Sequence, residues 1–189
     1  MDSLARTRYG NVAMALYWAT AILVLIAFIY GPGGSEERVY STARDFDHQL
    51  HETLGITVFA IVLFRVAWRW MDEQPDPLQV PRWMGIASKV VQGALYFLLF
   101  AIPFTSITGA WLEGHPLTFL GGIEIPALLG ASHDVGAKFA LVHRYLGDTI
   151  LWLAGFHALA AIYHHVFLKD GVLESMLPRA IGARIPRAP

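Results

Sequence analysis

Four apolar runs, each about as long as one membrane crossing, constrain this chain more than any other feature. They extend from Asn11 to Tyr30, from Thr53 to Met71, from Val90 to Leu112 and from Tyr145 to Leu168. An α-helix needs about 20 residues to cross ~30 Å of hydrocarbon. A buried helix of a soluble domain is normally shorter and shows a polar face. The expectation is therefore an all-α, integral membrane four-helix bundle. It forms a single domain over residues 1–189, with helices at about 11–30, 52–71, 90–112 and 143–168. Membrane lipid is then its first partner.

Composition agrees with this reading. The chain is 55% hydrophobic and 15% charged, against about 25% charged residues in soluble domains. The net charge of −1 gives no overall pull on nucleic acid, and no basic, aromatic-interleaved face suggests such a partner. The absence of cysteine excludes disulfides, thiolate metal sites, iron–sulfur clusters and covalent haem attachment. Hydrolase, P-loop and zincin motifs are also missing, because His51-Glu52 has no second histidine at zincin spacing.

The connections are marked by turn residues. Gly31-Pro32-Gly33-Gly34-Ser35 stops the first run, and three prolines lie between Asp72 and Pro81. Glu113 to Lys138 forms a long Gly- and Pro-rich connection, with an interfacial segment expected around Phe119 to Leu129. Pro103 falls inside the third run, where a kink is expected. The first run is too long for a signal-peptide core and lacks a clear cleavage site, so it reads as a retained helix.

Basic residues set the orientation. One side would hold Arg6, Arg8, Arg65, Arg69, Arg82, Lys89, Lys169, Arg179, Arg184 and Arg187, and the other Arg38, Arg44, Lys138 and Arg144. The bias places both termini in the cytoplasm. Tyr40, Trp70, Trp83 and Trp111 fall where interfacial aromatic residues belong.

The eight histidines carry the chemistry. His143, His157 and His164 are spaced by fourteen and seven residues, which keeps them on one helical stripe. His143 and His157 are about 21 Å apart along the axis, a separation that suits two iron sites stacked across a bilayer. The second and fourth helices run in the same direction, so His51 lies at the depth of His143. A bis-imidazole haem site between them follows naturally. His51-Glu52-Thr53-Leu54-Gly55 and His143-Arg144-Tyr145-Leu146-Gly147 share the pattern His-x-x-Leu-Gly. Gly55 and Gly147 would let a porphyrin approach the backbone, or would simply let helices pack. Ionisable residues at membrane depth are costly and tend to be functional. His48 is a rival to His51 one turn earlier, and His115 and His133 read as surface residues. Arg65, fourteen residues after His51, needs a haem propionate, a quinone oxygen or a snorkelling path to the interface.

These residues resemble the bacterial cytochrome b561 family over nearly the whole chain. The resemblance is carried by Phe156-His157-Ala158-Leu159-Ala160-Ala161-Ile162-Tyr163-His164-His165, Lys169-Asp170, Met176-Leu177-Pro178-Arg179, Leu50-His51 with Arg65, and Leu95-Tyr96-Phe97-Leu98-Leu99 with Pro103. It implies a multi-pass protein of the bacterial inner membrane that holds haem b and moves electrons between the periplasmic face and the quinone pool. It further implies His51 and His143 as ligands of an outer haem and His157 as a ligand of an inner one. His164, His165 and Lys169 would sit where ubiquinone binds. A superoxide oxidase activity with ubiquinone as acceptor is known in the family. Lys138 and Arg144, with Arg44, could supply the positive mouth its anionic substrate needs, or could instead bind haem propionates or solvent.

One position departs from the family pattern. Tyr17, before Trp18, stands where the family's first helix offers a histidine. Three outcomes are open for the iron opposite His157: tyrosinate ligation by Tyr17, ligation by Met14, or a five-coordinate or missing inner haem. The last ranks first, because a phenolate is unfavourable in an apolar site. Lys89 and Gln92 on the third helix do not replace the lost imidazole. The chain therefore holds one haem or two. Two functions compete: a superoxide:quinone oxidoreductase, and a non-enzymatic electron-transfer subunit serving a periplasmic redox protein. A transporter or sensor using the histidines for protons is a weaker third.

Overall fold

A computed structural model of the chain describes residues 9–31, 45–72 and 80–177. Four long helices cross the bundle: α1 (Asn11–Tyr30), α2 (Asp45–Met71), α3 (Arg82–Leu112) and α4 (His133–Tyr163). All four are long and apolar enough to cross a membrane, as the hydropathy pattern predicts. A π-helical turn, His164–Leu168, continues α4 and leads to the short α5 (Val172–Met176). Between α3 and α4 lies a two-stranded antiparallel hairpin, β1 (Leu117–Phe119) and β2 (Ile123–Ile125). Arg6, Arg8, Arg38, Tyr40, Arg44, Arg179, Arg184 and Arg187 lie outside the described residues, as do Pro32 to Ser35 and Pro178.

The helices outrun their apolar stretches. α2 begins at Asp45 rather than near residue 52, α3 at Arg82 rather than 90, and α4 at His133 rather than 143. Hydropathy marks only the part of a helix that sits in hydrocarbon. The added turns carry Asp47, His48 and Gln49 on α2 and Asp134 and Lys138 on α4. Such residues end an apolar run without ending a helix. The expected interfacial segment is a β-hairpin instead, turned by Gly121 and Gly122 in left-handed conformations (φ +92° and +78°). That is backbone only glycine adopts freely. Trp70, Trp83 and Trp111 stand in the terminal turns of α2 and α3, as interfacial residues should.

Packing follows membrane rules. The most extensive contacts join α3 to α4 and α1 to α2, whereas the backbones of α2 and α4 barely approach each other. Small residues let α3 and α4 close up. A Cβ on Gly109 would lie 3.3 Å from Ala140 N, and one on Gly136 would lie 3.0 Å from Glu113 N. Val58, Val62, Leu98, Leu99 and Ile150 form the core where α2, α3 and α4 meet. Outward, Ile29, Phe97, Trp152 and Phe156 are exposed along the helices. A soluble protein would hide that much apolar surface, but here it faces lipid tails. Thr20, Thr53, Thr57, Thr105 and Thr149 each donate to the carbonyl four residues earlier. Their hydroxyls are thus satisfied without water.

Candidate functional site

The space that keeps α2 and α4 apart is a cleft of about 830 Å³ including its open mouth. Its lining is almost wholly apolar, and four of the expected residues, His51, Gly55, His143 and Gly147, border it.

The two imidazoles are held by backbone carbonyls of neighbouring helices. His51 Nδ1–H donates to the Ala27 carbonyl at 2.7 Å. Ala27 lies in the last turn of α1, and Gly31 N–H bonds to Phe28 instead. The Ala27 oxygen is therefore one of the orphan acceptors that every helix end leaves. His143 Nδ1–H donates to the Ile102 carbonyl, one residue before Pro103, at 2.9 Å. A carbonyl only accepts, so each Nδ1 carries the hydrogen and each Nε2 offers a lone pair. This outer-shell bond is what orients a metal-binding imidazole.

The rings face each other across the cleft with centroids 6.0 Å apart and planes at 89°. Two metal–nitrogen bonds of about 2.0 Å, plus about 1.1 Å from each nitrogen to its ring centre, predict roughly 6.2 Å for imidazoles sharing one metal. The spacing fits a single iron between them. A Cβ built on Gly55 or Gly147 meets nothing within 4 Å. These glycines therefore do not serve close helix contact as Gly109 and Gly136 do. They leave empty a strip that a flat macrocycle can occupy, and the residues present fit haem b.

The other half of the bundle does not repeat this arrangement. Arg65, at the depth of His157 by helical count, lies with its guanidinium carbon 5.3 Å from the Tyr17 ring centre and 5.1 Å from that of Tyr96. Cation–π contact with two phenol rings answers the need for a partner. Tyr17 also meets Trp18 edge-on. His157 is half-buried, and none of its described neighbours anchors its ring as Ala27 and Ile102 anchor the outer pair. Four residues on stands Ala161, where the outer histidines have glycine. These residues fit a second bis-imidazole haem poorly.

At the end of the bundle far from the cleft, His164 Nδ1 pairs with Asp170 and His165 Nδ1 with Glu174, the latter at 2.8 Å. Lys169 adopts a left-handed conformation (φ 53°) after the π turn. Trp18 Nε1–H donates to the Met176 carbonyl at 3.0 Å, tying α5 to α1. His164, His165 and Lys169 thus gather at one end of the bundle, away from the cleft. Lys138 and Arg144 are exposed on α4, and neither lines the cleft. Arg144 lies 5.4 Å from the Tyr145 ring centre. His48 approaches Glu52 at 3.5 Å, and His133 pairs with Glu113 at 2.8 Å.

Sequence reasoning passed over Glu52, Leu117 and Thr118. Glu52 and Leu117 line the cleft, and Glu52 Oε2 accepts hydrogen bonds from Thr118 N–H and Thr118 Oγ1. The adjacency of Glu52 to His51 was the only available signal.

A bundle that crosses the membrane four times and opposes two imidazoles in an apolar cleft defines a class: membrane cytochromes that hold haem without covalent attachment. Residues 8–179 match the model of the prokaryotic cytochrome b561 family. The chain belongs to that family, and is accordingly a multi-pass membrane electron-transfer protein of haem b type. Cytochrome b561 homolog 2 of Escherichia coli K12 is 31% identical over 177 residues, covering 92% of this chain and 93% of the relative. Cytochrome b562 of Cereibacter sphaeroides is 29% identical over 175 residues, 89% of this chain and 94% of its own length. The probable superoxide oxidase CybB of Yersinia pestis is 26% identical over 179 residues, 93% of this chain and 98% of its own length.

Proposed function

We propose that His51 and His143 ligate one haem b near the periplasmic face of the inner membrane. The chain then passes electrons from that face toward the quinone pool. The observation that carries the reading is the 6.0 Å opposition of two imidazoles whose Nδ1 atoms are both committed to carbonyls. When bound, the haem supplies a one-electron iron couple. His51 and His143 would hold it, Gly55 and Gly147 would leave room beside them, and the apolar lining would exclude water. Both termini are cytoplasmic, which puts the β-hairpin outside and His164, His165 and Lys169 inside, where ubiquinone binds.

In its enzymatic form the activity is superoxide oxidation. Each superoxide gives up one electron and leaves as oxygen, and two such electrons with two protons turn ubiquinone into ubiquinol. The name of the Yersinia pestis relative supports this form. Lys138 and Arg144 would draw the anion toward the outer surface from a distance. A second reading, electron relay from a periplasmic redox protein, is favoured by one observation. Neither cation lines the cleft, whose lining includes the buried Leu117. Stopped-flow mixing with superoxide and no partner separates the two, since fast haem reduction supports the enzyme.

The pairing itself is tested by His51→Ala and His143→Ala. Each is expected to abolish the low-spin haem signal in low-temperature EPR and to bring the pyridine haemochrome yield close to zero. Full low-spin haem in either variant removes the basis of the assignment.

A further inference from the structure

We infer that Glu52 is a positioning residue that latches the outer β-hairpin over the haem cleft and seals its mouth against water and small solutes. This rests on the reading that His51 and His143 hold a haem there.

Glu52 directly follows His51, lines the cleft, and has a side chain only 8% exposed. A carboxylate that deep is costly unless its oxygens are satisfied. They are satisfied by the hairpin. Oε2 accepts from Thr118 N–H and from Thr118 Oγ1 at 3.1 Å, while Oε1 lies 3.5 Å from His48 Nε2. One residue along α2, Thr53 Oγ1 accepts from Leu120 N–H at 3.0 Å. Adjacent side chains at the start of α2 thus bind the backbone of β1 and its turn.

The hairpin needs this support. Its strands are three residues each, and an isolated two-stranded hairpin is marginal at best. Thr118 pairs with Glu124 across the hairpin, but its N–H is given to Glu52 and so points out of the ladder. The residue before it, Leu117, is 4% exposed and lines the cleft. The bonds at Thr118 therefore hold Leu117 in the mouth. If they are released, the leucine leaves together with the strand.

The test uses the full-length, haem-loaded protein in nanodiscs. Thr118→Pro removes the donated N–H without changing charge, and is tolerated because that N–H takes no part in strand pairing. Glu52→Ala removes the acceptor, whereas Glu52→Gln keeps an oxygen for Thr118 N–H. Haem reduction by ascorbate is followed in a stopped-flow instrument. Thr118→Pro and Glu52→Ala are expected to react about fivefold faster than the parent, the population shift given by one lost hydrogen bond of ordinary strength. Glu52→Gln should stay close to the parent rate. The midpoint potential of Thr118→Pro should fall, because solvent reaching a haem favours the oxidised iron, an effect that simple loss of stability would not produce. If Glu52→Ala loses its haem, Leu117→Ala opens the mouth with the latch intact and should show the same faster reduction. Rates within about twofold of the parent for every haem-loaded variant, less than one hydrogen bond would give, together with unchanged potentials, overturn the latch. A parent protein without low-spin haem overturns the haem reading instead.

Discussion

Gly147 and Gly136 occupy the same helix and do opposite things. A Cβ on Gly136 would meet Glu113 Oε1 at 2.8 Å, whereas one on Gly147 would meet nothing. The first glycine serves helix packing, and the second borders open space in the cleft. Gly147→Ala should raise the thermal stability of the haem-free protein by about 0.5–1 kcal/mol, since alanine is the better helix former. Gly147→Leu should weaken haem retention about tenfold or more, through the 1–3 kcal/mol that overfilling a packed site costs. The haem-to-protein ratio beside the apo-protein melting temperature checks both. Full haem content in Gly147→Leu would show that the porphyrin lies elsewhere. At this scale the sequence is informative about which side chains share the cleft. The repeated His-x-x-Leu-Gly pattern marks residues that border one cleft. It says nothing of the Ala27 and Ile102 carbonyls that orient the rings, because a backbone acceptor has no residue type to read.

Among the elements, the α3–α4 hairpin depends on close backbone approach. Gly136→Val would drive two methyl groups toward Glu113, whose backbone nitrogen cannot yield. The expected result is a loss of about 1–3 kcal/mol in stability with the haem spectrum preserved, because Gly136 lies two turns before His143. Thermal melts followed at the Soret band measure both outcomes, and a spectrum lost before the helices melt would contradict the division of labour. Element identity was legible in the sequence and element length was not. Apolar content specifies the hydrocarbon core of each helix, while the polar first turns from Asp45, Arg82 and His133 look like loop. The β-hairpin stayed hidden because its strands are three residues long, too short to show alternation. It is held instead by Glu52 and Thr53, far away in sequence.

The whole molecule is asymmetric across the membrane. One half has paired, anchored imidazoles, and the other has His157, Tyr17 and an Arg65 guanidinium against two phenol rings. The wild-type chain should therefore bind about one low-spin haem, and Tyr17→His should raise this toward about two by restoring a second nitrogen ligand. Pyridine haemochrome stoichiometry with EPR tests this, and two low-spin signals in the wild type would contradict it. With one haem, the path to a quinone bound at the proposed site near His164 would approach the full ~30 Å of hydrocarbon. Reduction of quinone should then be slower in the wild type than in Tyr17→His. The departure at Tyr17 was visible in the sequence. Its engagement with Arg65 and Tyr96 was not, since that contact joins three separate helices.

The two ligands also come from different halves of the polypeptide. His51 belongs to the closely packed α1–α2 pair and His143 to the α3–α4 pair, and the backbones of α2 and α4 stay apart. A haem held by both would add a further tie to the α2–α3–α4 core and the hairpin bonds that already join these halves. Cells starved of iron should therefore hold less of this polypeptide, because membrane proteases clear the haem-free form faster than the finished cytochrome.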